Sequence, residues 1–317
     1  MSSRLTSGWL ALIAMVAVAV PASAQLNTQH VKGSFGVKGG SQAPPGEYAI
    51  APLLYFYSTD DVRNANGDQV PVLNANLDAA LFGAGVAVVT KKQILGGYYG
   101  FTVLVAGANN RIQGTEIDQN PGQGITDTVF CPFQLGWHKK RADAVAYYQL
   151  YLPTGRYEDG ASNNTGLGMW GQEIGAGTTV YLTENRQYHA ATVVSLNFQS
   201  DKQDSTTHVG DQMNFEGGVG GDFLKGGLVA GLAYYSSFKL TNDKLELGKL
   251  PQPVSLNKSS TVGLGPDVTL AIAKANTVYG FVNVKYFWEV AAKTTTKGGA
   301  WLITATFPFH PIKVSGA

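Results

Sequence analysis

The chain has 317 residues, 14% of them charged, with a formal net charge of +1, 39 glycines, 13 prolines and one cysteine. Near-neutral charge excludes a nucleic-acid binder, and a 44% hydrophobic composition excludes a disordered chain. With Cys131 alone, neither an internal disulfide nor a thiolate metal cluster is available.

In chain order, Met1-Ser2-Ser3-Arg4 precedes an apolar run from Gly8 to Val20, broken by Pro21 and followed by Ala22-Ser23-Ala24. This is the pattern of a secretory signal peptide over residues 1–24, cleaved to leave Gln25 as the first mature residue. No cysteine follows the cleavage site to carry a lipid. The rest of the chain has no stretch of ~18 consecutive apolar residues, so it enters a membrane only as a closed β-barrel.

Residues 25–46 do not alternate and are rich in Gly and Pro, a segment that either folds into the lumen as a plug or hangs in the periplasm. Beyond them, period-two alternation recurs in segments long enough for the ~9–11 residues of a membrane strand. The spacing predicts strands over 47–57, 77–89, 93–106, 127–137, 141–153, 166–183, 188–199, 212–224, 228–241, 261–273, 277–293 and 299–309. That is an all-β, antiparallel, up-and-down transmembrane barrel of about twelve strands over residues 47–309. Residues 310–317 form a C-terminal extension.

The clearest strand puts Val282, Val284, Tyr286, Trp288 and Val290 on one face and Phe281, Asn283, Lys285, Phe287 and Glu289 on the other. One face suits lipid and the other does not. Predicted short connections, 90–92, 138–140, 184–187, 225–227 and 274–276, alternate with long ones, 58–76, 107–126, 154–165, 200–211 and 241–260. Short turns belong to the periplasm, which places both chain ends there. Tyr148, Trp288 and Trp301 fit interfacial girdles.

Several motifs carry less than they first suggest. Residues 60–68 fail as a calcium loop, because alignment on Gly67 puts Val62 and Leu73 where acidic ligands belong. The run Gly217-Gly218-Val219-Gly220-Gly221 lacks a following Gly-Lys-Ser/Thr, and reads as strand glycines that let the wall bend or a plug approach. Histidines 30, 138, 189, 208 and 310 form no zinc motif or local Ser-His pair, so no enzyme, metal or cofactor is expected.

Pro45-Gly46-Glu47-Tyr48, Tyr151-Leu152-Pro153-Thr154-Gly155, Asn164-Thr165-Gly166-Leu167-Gly168-Met169-Trp170 and Gly265-Pro266 together carry a resemblance. From about Pro44 to Phe309 the chain resembles the SphA-like outer-membrane proteins of the "MetA-pathway of phenol degradation" family. That resemblance implies an outer-membrane barrel that takes up hydrophobic or aromatic compounds, often beside catabolic pathways. The chain departs from usual barrels in that Phe309 is followed by eight further residues, which bears on recognition by the barrel-assembly machinery.

Lumen-lining residues are expected at Phe130, Asp143, Tyr147, Gln149, Tyr151, Glu216, Asp222, Tyr235, Phe281, Asn283, Lys285, Phe287 and Glu289. Aromatic rings would stack on an apolar ligand while charged groups orient it. Alternatively, they merely fill the interior, Lys285 and Glu289 or their neighbours neutralising one another. The functional expectation is passive passage of a small hydrophobic or aromatic solute through a barrel set in outer-membrane lipid. The rival is a plugged scaffold whose loops meet partners.

Overall fold

Alternating side chains need a closed sheet to separate them, and a computed structural model of the chain forms one. It describes residues 27–70, 76–113, 118–246 and 254–313. Its barrel strands are β1 (Gly46–Thr59), β2 (Asn76–Ile94), β3 (Gly97–Gln113), β4 (Thr128–His138), β5 (Ala142–Leu152), β6 (Gly171–Tyr181), β7 (Tyr188–Gln199), β8 (Gln212–Phe223), β9 (Leu228–Lys239), β10 (Ser260–Lys274), β11 (Thr277–Lys293) and β12 (Gly299–Pro308). Every strand pairs antiparallel with its chain neighbour, and β12 pairs with β1 to close the twelve-stranded barrel. Closure leaves no barrel edge with unpaired backbone groups, as a hydrocarbon surround demands.

The outer face carries the apolar half of the alternation: Leu232, Leu270, Trp288 and Val290 are all more than half exposed. Tyr286 packs edge-on against Trp288, with ring centroids 4.8 Å apart, and lies 4.6 Å from Trp301, making an aromatic patch near the long-loop end. Tyr188, Tyr279 and Phe309 are exposed near the short-turn end. Aromatic residues at both ends of an apolar band are the pattern of a membrane barrel.

The long connections pack over one end. Buried Met169 and Val209 gather Leu167, Leu245 and Leu256, and the Asp127 carboxylate accepts the backbone N–H groups of Gly155 and Leu167. Residues Val62–Arg63 pair with Thr295–Thr296, and Ile312–Lys313 add to β11, so part of the C-terminal extension continues the sheet. The predicted signal peptide lies outside the described residues.

Two of the departures from the expected strand boundaries have local reasons. Residues 90–92 lie inside β2, and the turn falls at Leu95 and Gly96, whose φ values of 51° and 76° suit a tight hairpin. Residues 166–170 belong to the loop packing, where Asp127 binds the Leu167 N–H, and β6 begins only at Gly171.

Two prolines also alter the alternation itself. The β1 register shifts between Ile50 and Leu53, around Pro52, and the β4 register shifts between Phe130 and Phe133, around Pro132. Proline cannot donate to a ladder and sits where an extra residue bulges out, so inward parity switches at each site. Below Pro52 Tyr48 is buried; beyond it Leu53, Tyr55 and Tyr57 face the lumen.

Candidate functional site

The N-terminal segment, residues 27–45, is a strap inside the lumen. It has no ladder partners of its own, so beyond turn bonds such as Gly39 N–H to the Gly36 carbonyl its backbone groups find side chains. Glu216 of β8, fully buried, accepts the N–H groups of Gly33 at 2.8 Å and Phe35 at 2.8 Å. Asp267 of β10 accepts the N–H of Val37 at 2.9 Å, while Lys285 of β11 donates to the carbonyls of Gly33 and Ser34. At the short-turn end Lys38 pairs with Asp222, and Ser41 donates to Asp143.

Small residues let the strap approach. Gly33 has φ of 80°, and a Cβ there would lie 2.3 Å from the Phe287 ring. Gly218, within the glycine run of β8, accommodates Val37, which packs with Ala233, Tyr235 and Phe287.

His30 is the strap's most constrained side chain. Its Nδ1 lies 3.0 Å from Glu173 and its Nε2 2.9 Å from Glu216, all three side chains being buried. Both ring nitrogens face carboxylates, an arrangement that the doubly protonated imidazolium satisfies with two donated bonds. Burial by itself would lower the His30 pKa, but the two adjacent carboxylates outweigh it and push it up to about 10. Glu173 also accepts from Tyr147, Tyr151 and Asn197, so its charge is fully solvated by donors.

The opposite wall is different. Between strap residues 27–32 and strands β1–β4 lies a cavity of ≈ 260 Å³. Leu53, Leu81, Leu104 and Val129 supply its apolar surface; Gly83, Ala79, Ala106 and Ala108 leave the room. Tyr55, Tyr57 and Tyr151 flank it, and Asn110, Asp127, Thr165 and Thr295 rim it toward the long loops. An apolar pocket with a few polar groups at its mouth is the usual form of a small-molecule site.

The residues expected in the lumen distribute as follows. Tyr147, Tyr151 and Glu216 meet at the His30 clamp, with Gln149 opposite Glu173 in register. Tyr235, Phe287 and Glu289 form a second group, with the Tyr235 hydroxyl 3.0 Å from Glu289 and the two rings 5.1 Å apart. Asn283 donates to Asp267 beside Lys285. Asp143 and Asp222 hold the lower strap, and Phe281 lies on the inward face opposite Ala271 and Thr306, near the short turns.

Two expectations need correction. Phe130 pairs with Val103 and Leu150 on the outward face, while Val129 takes the inward position opposite Tyr151, because the bulge at Pro132 resets the parity. Lys285 and Glu289 do not neutralise each other: Lys285 binds strap carbonyls, and Glu289 accepts from Tyr57, Tyr235 and the Gly298 N–H. Four residues along a strand span about 13 Å. Sequence reasoning missed Glu173 and Asp267, though an acid inside a membrane strand must face inward, and it missed the apolar wall of β1–β4.

The family model described as "Putative MetA-pathway of phenol degradation" matches residues 59–303. The chain belongs to this family. Among solved structures, the COG4313 outer membrane channel from Pseudomonas putida F1 is similar with a TM-score of 0.65 at 15% identity, covering 85% of this chain and 97% of that one. The transport unit of the autotransporter AIDA-I from Escherichia coli gives a TM-score of 0.49 at 8% identity, covering 85% and 91%. The TodX monoaromatic hydrocarbon channel gives 0.39 at 12% identity, covering 87% and 93%. No curated protein matches the sequence. The family member thus has the fold of outer-membrane channel barrels.

Proposed function

We propose that the protein is an outer-membrane channel through which small hydrophobic or aromatic solutes diffuse passively, exported by its signal peptide and inserted by the barrel-assembly machinery. The observation that carries this reading is the apolar cavity between strap residues 27–32 and the wall of β1–β4. A dry cavity of about 150 Å³ lined by aliphatic residues is enough to hold benzene, so this one has room for a substituted ring. Solute enters between the long loops past Asn110 and Asp127, exchanges water for Leu53, Leu104 and Val129, and leaves toward the short turns. Weak apolar contact suits passage, since tight binding would prevent release.

In this reading the inward charges do not touch the solute. Asp143, Glu216, Asp222 and Lys285 fix the strap, and the strap in turn forms one side of the path. The strap's occupancy of the lumen also favours a second reading, a plugged barrel that carries nothing and serves as a scaffold.

The two separate on uptake of labelled toluene by vesicles with a lipopolysaccharide outer leaflet, which holds back free toluene, with and without the inserted protein. Uptake above protein-free vesicles supports the channel; uptake equal to protein-free vesicles, with the barrel shown inserted by heat-modifiable gel mobility, supports the scaffold.

A further inference from the structure

The formal net charge of +1 conceals a separation of charge along the barrel axis. At the short-turn end, exposed lysines stand at four hairpins: Lys91 and Lys92 at β2–β3, Lys139 and Lys140 at β4–β5, Lys225 at β8–β9 and Lys274 at β10–β11. Arg186 completes the set at β6–β7, where it is engaged by Asp143 and the Lys139 carbonyl. Among the described residues none of these lysines has an ion-pair partner. The exposed acids at this end are Glu47 and Glu184, since Asp143 and Asp222 hold the strap. The long loops instead mix both signs, with Asp60, Glu158 and Glu246 exposed as well as Arg111, Arg156 and Lys244.

An outward aromatic belt fixes the depth of this basic rim. Trp137 adjoins His138, which reaches Asp143 inside; Tyr188 adjoins buried His189; Phe223 adjoins Asp222, which binds the strap. Alternation therefore turns all three rings toward lipid. Tyr188 and Phe223 meet edge-on with centroids 6.3 Å apart, and the Trp137 indole donates to the Leu95 carbonyl at 3.0 Å. The turn bearing Leu95 follows Lys91 and Lys92, and Phe223 is followed by Leu224 and Lys225. Aromatic belts lie at headgroup level, so lysines just beyond them reach lipid phosphates with their flexible stems.

The distribution of the lysines decides between partners. The β2–β3 and β8–β9 turns lie on opposite sides of the ring of strands. A docked protein or polymer strand meets one sector of such a ring, whereas a lipid leaflet meets all of it. Two opposite tips also expose a leucine, Leu95 and Leu224, which an interface accommodates and a water-borne polyanion does not reward.

We propose that the short-turn rim is a binding surface for anionic phospholipid, its lysines gathering phosphatidylglycerol headgroups of the surrounding leaflet into a ring about the barrel. The attraction of each cation to an anionic leaflet acts within a Debye length and adds to that of its neighbours. The proposal goes beyond the channel reading and requires only that the barrel sits in a bilayer.

The test is quenching of tryptophan fluorescence by brominated phosphatidylglycerol against brominated phosphatidylethanolamine, with the strap-containing barrel in mixed vesicles. Trp170, Trp288 and Trp301 lie toward the long loops, and Trp9 falls in the predicted signal peptide. Replacing those three by Phe leaves Trp137 to report the short-turn end of the mature barrel; Trp137→Phe alone leaves the other end to report. Phosphatidylglycerol should be preferred about two- to fivefold at Trp137, with little preference at the long-loop end. High salt should remove the preference, as should the combined variant K91Q, K92Q, K139Q, K140Q, K225Q and K274Q. Equal quenching of Trp137 by the two lipids, the same preference at both ends, or a preference that survives both salt and the combined variant would overturn the proposal. Absence of lipid preference with lysine-dependent cosedimentation on purified peptidoglycan would overturn it too, and would assign the rim to that polymer. Toluene uptake absent from a barrel that keeps the lipid preference removes the channel reading alone.

Discussion

The inward faces of β1–β4 and of β5–β11 differ, and the difference decides where the strap lies. The second arc carries Asp143, Glu173, Glu216, Asp267, Lys285 and Glu289, buried groups that are stable only when fully partnered. The strap supplies partners to several of them from its own backbone and from His30 and Ser41. Leu53, Leu81, Leu104 and Val129 of the first arc offer such a segment no hydrogen bond, and a cavity is left there. The polar wall thus holds the plug, and the apolar wall faces it across a cavity.

The largest change should follow from removing one side of this contrast altogether. Deletion of residues 25–43 empties the polar arc, and bilayer conductance should rise about tenfold or more as the lumen widens. Conductance unchanged in an inserted barrel would mean that the strap does not obstruct the lumen.

Next in size is the loss of one hub. Glu216→Ala strands the N–H groups of Gly33 and Phe35 and leaves His30 with one carboxylate, a change that should cost about 3–5 kcal/mol of strap docking. The strap should then be cut by added protease while the barrel resists. A strap as resistant as in the parent protein would show that Glu216 is not its anchor.

Titration of His30 gives a smaller and graded effect. Its pKa when docked is about 10 against an ordinary 6.5, so docking is favoured by the proton. That contribution is fully present below pH 6.5 and is lost as pH rises through about 10. Conductance should therefore increase between these limits, and His30→Gln should flatten the profile. An identical alkaline rise in His30→Gln would assign the effect to another group.

The smallest effect is expected outside the contrast. Phe130→Ala changes the lipid face, and toluene uptake should stay within about twofold of the parent value, as for surface substitutions generally. A large loss of uptake would put Phe130 in the path after all.

Most of the wall was legible in the sequence, because strands such as 281–290 must separate lipid-facing Val284, Trp288 and Val290 from inward Lys285, Phe287 and Glu289. Phe130 was misplaced because alternation is a local rule, and the bulge at Pro132 restarts it; the same happens at Pro52, which hid the inward set Leu53, Tyr55 and Tyr57. Prolines inside otherwise regular strands were the available signal. The strap was illegible as structure, since it has neither alternation nor a helical period, and its conformation is set by carboxylates more than a hundred residues away. The cavity was hidden for another reason: it is made by small inward residues, Gly83, Ala106 and Ala108, and a missing side chain leaves no pattern.

The central claim, that solute travels along the apolar arc, is tested most directly by filling that arc. Ala106 faces the cavity opposite Gly83, on the arc that gives the strap no carboxylate. In vesicles with a lipopolysaccharide outer leaflet, Ala106→Trp should bring toluene uptake down to that of protein-free vesicles while the barrel inserts normally and the strap stays protease-resistant. Uptake at the parent rate in such a protein would contradict the account and place the path elsewhere.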